Sequence, residues 1–223
     1  MTQSTIPWPL SEVETASDQL TAAVKERLAH ICAHPPMHAR FLNTLSLMEH
    51  IGSRKIMASR SGQDLGGDTL RHLAEETRHA YFFKRAAEKL ARSGLGFRPS
   101  ELMAGAAARG YMGRLDAGIT RALSSAAATP LPYLYMSLIV ELRAIWFYRL
   151  YQEVLDRHAP ALSLKSVLAE EELHLAAMLA RLSEMDGECT LRVTRFREIE
   201  QHRFRALWAA VEAECNGDRL AAE

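Results

Sequence analysis

The residues in this sequence best placed to do chemistry come as a repeat. Leu73-Ala74-Glu75-Glu76-Thr77-Arg78-His79 and Leu168-Ala169-Glu170-Glu171-Glu172-Leu173-His174 share the string Leu-Ala-Glu-Glu-x-x-His. On an α-helix, residues three apart lie one turn apart on nearly the same face. Glu76 with His79, and Glu171 with His174, therefore each present a carboxylate beside an imidazole. Each copy follows an apolar stretch holding a single carboxylate: Glu49 within Leu45-Ser46-Leu47-Met48-Glu49-His50-Ile51, and Glu141 within Leu138-Ile139-Val140-Glu141-Leu142. Apolar residues recur at helical spacing around all six. Leu73, Phe83 and Leu90 flank the first pair, and Val167, Met178 and Leu182 the second; Leu42, Leu45 and Ile56 surround Glu49, while Leu134, Leu138 and Ile145 surround Glu141. The faces that carry these groups are thus the core faces.

Four carboxylates gathered in an apolar interior repel one another, and burying even one without compensation costs several kcal/mol or forces protonation. Two divalent cations would carry four positive charges, matching Glu49, Glu76, Glu141 and Glu171, and each could take one imidazole from His79 or His174. Glu49, Glu76 and His79 are expected mainly on one ion and Glu141, Glu171 and His174 mainly on the other, with Glu76 and Glu171 as bridges. Carboxylate and imidazole donors in an open site suit iron, with manganese as the other candidate; the lack of cysteine donors argues against structural zinc. Glu75, Glu170 and Glu172 sit about 100° or more around their helices, which predicts supporting or solvated roles. His72, one turn before Glu76, is expected beside the ligands as a hydrogen-bonding support. Tyr148, two turns after Glu141, is expected as a core tyrosine with a satisfied hydroxyl. Gly52, Ser53 and Ala144 put small side chains near the site.

The elements that must position these groups are helices. Long amphipathic segments are separated by short Pro/Gly breaks, with no alternating β-branched run of strand length, so the fold class is all-α. The sequence predicts an irregular lead-in over 1–10 and a helix over 11–33 opened by a Ser11/Glu14 capping box and ended by Pro35-Pro36. Further helices are expected over 37–60, from an Asp68 cap to a Gly94 stop, over 130–157, over 162–185 and over 191–214. Between Leu95 and Thr129, four glycines among many alanines predict a long crossover with short helical pieces.

This arrangement resembles the ferritin-like di-metal carboxylate proteins, whose four-helix bundle takes one Glu from each of two helices and Glu-x-x-His from each of the other two. The resemblance runs from about Phe41 to Leu182. It implies a ferritin-like bundle over 37–185 with extra N- and C-terminal helices, the whole of 1–223 forming a single domain. It also implies a di-iron centre that activates dioxygen to hydroxylate or oxidise an organic substrate, either a small molecule or one bound to a carrier. Glu49 and Glu141 are then the ligands that shift to open a coordination position. Iron storage with ferroxidase activity, and peroxide scavenging, are the other activities the family implies. The long crossover and the added helices exceed what a minimal storage subunit needs and favour the oxygenase branch.

The totals agree with an enzyme of this type. Lys plus Arg and Asp plus Glu each number 27, so no global field draws the chain to nucleic acid or an anionic membrane. With 223 residues, 48% of them hydrophobic, one sizeable helical core is expected. No membrane span or secretory leader is evident, which makes the cytoplasm the expected location. Cys32, Cys189 and Cys215 form no C-x-x-C pair, so electrons are expected from an external donor protein. A homodimer is compatible with this reading. The arginines at 192, 195, 197, 203 and 205 are expected to form a solvated face of the last helix.

Overall fold

The apolar stripes of the sequence become seven α-helices, with no strand among the described residues. The computed structural model describes residues 9–59, 66–123 and 130–220. The helices are α1 (Leu10–Ala33), α2 (Pro35–Ser59), α3 (Gly67–Ala91), α4 (Gly105–Ala122), α5 (Leu131–His158), α6 (Lys165–Met185) and α7 (Cys189–Leu220), with a 3₁₀ turn at Pro99–Glu101. The predicted lead-in over 1–10 lies almost wholly outside the described residues, as do the side chains of the Ser11/Glu14 capping box. No described helix is long and apolar enough to cross a membrane.

Two helical hairpins carry the repeat. In the first, Ser46 donates to the Ala80 carbonyl at 2.7 Å and Lys84 donates to Asn43 at 2.8 Å, so α2 and α3 run antiparallel. In the second, Arg149 meets Glu172 at 2.8 Å and Tyr135 donates to Asp186, which sets α5 antiparallel to α6. Helix α1 packs on α5 and α2, and α7 packs on α4 and α5. Arg143, buried on α5, ties the added helices to the bundle: it donates to Glu200 of α7 at 2.7 and 2.9 Å and to Ser17 of α1 at 3.0 Å. Such a buried charge is tolerable because its partners satisfy it.

Several boundaries differ from the sequence expectation. Pro35 and Pro36 open α2 instead of merely ending α1, since the first turn of a helix needs no amide hydrogens. The α3 cap is Gly66, and Asp68 sits inside the first turn, where its charge opposes the helix dipole. That helix ends at Ala91 with Arg92 in the left-handed region at φ 55°, two residues before Gly94. Helix α6 starts three residues later than expected and α7 is longer at both ends.

The largest difference is the crossover, which holds one 18-residue helix where short pieces were expected. Its glycines lower helix propensity, but burial of Ala108, Tyr111, Met112, Leu115 and Ile119 outweighs that local cost. Gly105 has a packing reason of its own: a Cβ there would fall 2.6 Å from Leu102 Cδ1. A polar row on α2 fixes the approach to this helix. Asn43 donates to the Gly96 and Glu101 carbonyls at 2.9 and 2.8 Å, and Thr44 donates to the Met103 carbonyl at 2.8 Å.

Candidate metal centre

The two hairpins bring Glu49 (α2), Glu76 and His79 (α3), Glu141 (α5), and Glu171 and His174 (α6) to one place. Each is 9% exposed or less, and Glu171 only 1%. Two overlapping groups emerge: Glu49, Glu76, His79 and Glu171 form one, and His72, Glu76, Glu141 and His174 the other. Within each, one ligand atom per residue lies within 4.8 Å of all the others. This is the separation expected of donors around a common cation, and these buried groups could hold a metal ion.

Both expected bridges lie between the two sets. Glu76 belongs to both groups, and Glu171 belongs to the group with Glu49. Glu171 still touches the other half, with Oε2 3.1 Å from His174 Nδ1. His72 takes a place in the second group, beyond the supporting role expected of it: its Nε2 lies 3.2 Å from Glu76 and 3.8 Å from Glu141. The signal was present in the sequence, since His72 stands four residues before Glu76 and shares its helical face.

Both imidazoles of the repeat are oriented from behind. His79 Nε2 is 2.7 Å from Glu170 Oε2, and His174 Nε2 is 2.7 Å from Glu75 Oε2. Those bonds place the Nε2 hydrogens on the outside and turn the Nδ1 atoms toward the carboxylates. Arg78 in turn pairs with Glu170. Glu75 and Glu170 thus have the supporting role that their helical position implies, while Glu172 pairs with Arg149 away from the centre. Tyr148 donates its hydroxyl hydrogen to Glu49.

Electrostatics and orphaned atoms both fit a cation. Burial, with the charges of Glu76 and Glu171, pushes the Glu49 carboxyl well above its ordinary range. Burial and the same two neighbours do this to Glu141. Burial also works against charge on His79, but the adjacent Glu171 and the charges of Glu49 and Glu76 raise it to about 10. Glu171 resists the upward push of burial because contacts with His174, His79 and Glu141 hold it well below the usual carboxylate range. Protons and divalent cations therefore compete for one cluster. Three of its buried atoms make no well-aligned hydrogen bond: His72 Nε2 and Glu76 Oε1, which face each other at 3.2 Å, and His79 Nδ1, which lies 3.1 Å from Glu171 Oε1. Orphaned buried donors and acceptors are costly, and metal coordination would satisfy all three.

The cluster has two unlike flanks. On the carboxylate side lies a cavity of about 100 Å³, lined by Glu49, Glu76, Glu141 and Glu171 at one end and by Phe41, Phe147, Phe204 and Trp208 farther on. On the imidazole side an open polar pocket of about 520 Å³ reaches His72 and His174 between Arg71, Glu75, Glu170 and Arg181. In comparisons with known proteins, no family profile, no curated sequence and no solved structure matches this chain.

Proposed function

We propose that this chain is a di-iron oxidoreductase of ferritin-like architecture that uses dioxygen to hydroxylate or oxidise an organic substrate. The apolar cavity against the four glutamates is the observation that carries this reading. It offers an organic molecule a place directly beside the ions, whereas an iron ion entering for storage has no use for an aromatic-lined chamber. The supporting arrangement is one Glu from α2, one from α5, and Glu-x-x-His from α3 and α6. Oxygen and imidazole donors fit iron or manganese.

Paired ferrous ions, when bound, would supply reducing electrons to dioxygen. The chain's own residues do the rest. Glu76 would join the two ions, Glu75 and Glu170 hold the imidazole tautomers, and Tyr148 orients Glu49 by its hydrogen bond. The aromatic wall on the carboxylate side offers an organic molecule an apolar surface. Hydroxylation of one C–H bond by dioxygen takes two electrons and two protons beyond the substrate, so an external electron donor protein is required.

A ferroxidase or storage role draws on a different observation, the polar pocket that leads solvent to His72 and His174. One set of measurements separates these readings. About two irons per chain, with dioxygen uptake coupled to product formation from an added organic compound, supports the oxygenase. Many irons per chain in a large assembly supports storage. Peroxide disproportionation by a manganese-loaded form supports a scavenger.

A further inference from the structure

We infer that the polar pocket on the imidazole side is the port through which divalent metal ions reach and leave the centre, and that the ion held by His72, Glu76, Glu141 and His174 exchanges first. This rests on the di-metal reading of the cluster and not on the choice of reaction. The cavities that border the ligands differ in what a hydrated cation would meet. The one lined by Phe41, Phe147, Phe204 and Trp208 offers aromatic rings and the Arg143 guanidinium, and its hydroxyl groups are already committed: Tyr148 donates to Glu49, Tyr111 to Glu200 and Thr44 to the Met103 carbonyl. A divalent ion passing there would shed water with nothing to replace it, which is costly. A smaller opening between α2, α4 and α5 also reaches Glu76 and Glu141. Beyond the ligands themselves, its lining holds one ammonium, Lys55, and one hydroxyl, Ser137, among apolar side chains such as Met112 and Met136.

The polar pocket is the reverse. Asp68, Thr69, Glu75 and Glu170 line it together with His72 and His174, so the waters lost by an entering ion can be replaced donor by donor. Glu75 and Glu170 each hold an imidazole through Oε2 and remain 19% and 27% exposed. Two cations share the wall: Arg71 pairs with Asp68 at 3.3 Å, and Arg181 stands exposed. The order of exchange follows from which ligands the pocket touches. His72 and His174 line it, whereas His79 and Glu171 do not, and Glu49 lines the aromatic cavity instead. Side-chain exposure agrees: 16% for His72 and 9% for His174, against 2% for His79 and 1% for Glu171. Glu76, common to both groups, is the ligand across which an ion passes from the outer position to the inner one. An inner ion therefore leaves only after the outer one.

Cobalt(II) alone is the probe, because its visible absorption reports binding without turnover. Stopped-flow mixing with metal-free protein measures uptake, metal analysis gives the endpoint, and transfer to a chelator measures release. Arg181→Glu should load at least about threefold faster than wild type at low ionic strength, and Thr69→Lys at least about threefold slower, with both differences shrinking in high salt. The two residues line the pocket from separate helices and neither is a ligand, so the endpoint should stay at two ions per chain. Lys55→Glu, at the smaller opening, should load at the wild-type rate. Release from wild type should show two phases of equal size, and His72→Ala should keep only the slow one. Equal loading rates in wild type, Arg181→Glu and Thr69→Lys, faster loading in Lys55→Glu alone, a single release phase in wild type, or a fast phase surviving in His72→Ala would each overturn the inference. Wild type that takes up no cobalt would overturn the di-metal reading and the port with it, whereas two ions loaded at rates blind to charge in the pocket would overturn only the port.

Discussion

His79 and Glu170 are joined across α3 and α6 by a 2.7 Å hydrogen bond, and His174 and Glu75 repeat that bond in the opposite direction at the same length. In each copy of Leu-Ala-Glu-Glu-x-x-His, the second Glu and the His face the centre, while the first Glu reaches over to hold the other copy's His. The repeat is therefore reciprocal, and neither half-site is complete by itself. Removing such a support typically costs 10- to 100-fold in metal affinity. Glu75→Gln and Glu170→Gln should each fall in that range by metal titration, with helical content unchanged. Equal losses in the two variants are expected, and wild-type affinity in both would refute the buttressing role.

Histidine 72 separates the two groups. It belongs only to the set with Glu141 and His174, whereas Glu76 belongs to both. His72→Ala should bring metal content from two ions per chain toward one, and Glu76→Ala should lose both. Metal analysis of protein loaded anaerobically with ferrous iron measures this directly. Identical stoichiometries for the two variants would contradict the shared position of Glu76.

Much of this centre was legible because its signal is local. The Glu-x-x-His spacing fixes two donors on one face without any knowledge of packing, and the apolar stretches around Glu49 and Glu141 mark those residues as buried. The distances between helices were not legible: that Glu171 of α6 stands 3.1 Å from both His79 and His174 depends on how α6 sits against α3, which no local spacing encodes. The crossover misled for a related reason. Gly105, Gly110, Gly113 and Gly118 lower local helix propensity, and only the burial of Tyr111, Leu115 and Ile119 in the packed chain makes α4 continuous. Trp208 reads in sequence as one more core aromatic; its unpartnered indole hydrogen is visible only in three dimensions.

Gly52 lies where α2 passes Glu76. A Cβ at this position would stand 3.3 Å from Glu76 Oε2, so the carboxylate must give by a few tenths of an ångström. Helix propensity argues the other way, since alanine in a helix interior is favoured over glycine by up to about 1 kcal/mol. Gly52→Ala should thus leave metal-free thermal stability equal or raised while weakening metal binding. A parallel change in both quantities would show that crowding of Glu76 is not the cause.

Burial lowers the His38 imidazole from 6.5 to about 4. Its Nε2 is hydrogen-bonded to the Tyr151 hydroxyl at 2.5 Å, with Cys32 Sγ 3.9 Å away. Between those two pKa values the unfolded chain binds the extra proton, so stability is full above 6.5 and is lost as pH falls toward 4. The drop corresponds to roughly 3 kcal/mol at most. His38→Gln keeps an acceptor for Tyr151 but cannot titrate. Chemical denaturation of the metal-loaded proteins should show a steeper loss of stability from pH 6.5 to 4 in wild type than in the variant.

Metal removal should reverse the sign of pH dependence at the centre itself. Burial and mutual repulsion hold Glu49 and Glu141 well above the ordinary carboxyl range, so the folded metal-free chain binds protons there that the unfolded chain releases. The stability these protons contribute is full below the unfolded value of about 4.5 and is lost as pH rises through the raised folded values. Cations in their place make the opposite demand, because binding must expel the protons, and affinity therefore rises with pH. Chelator-treated Glu49→Gln and Glu141→Gln proteins should lose less stability than chelator-treated wild type on going from pH 5 to pH 8. Loading wild type with ferrous iron over the same interval should release protons, measurable with a pH indicator in weak buffer. If loading releases none and the chelated variants track wild type, the glutamates are not the groups that protons and metal share.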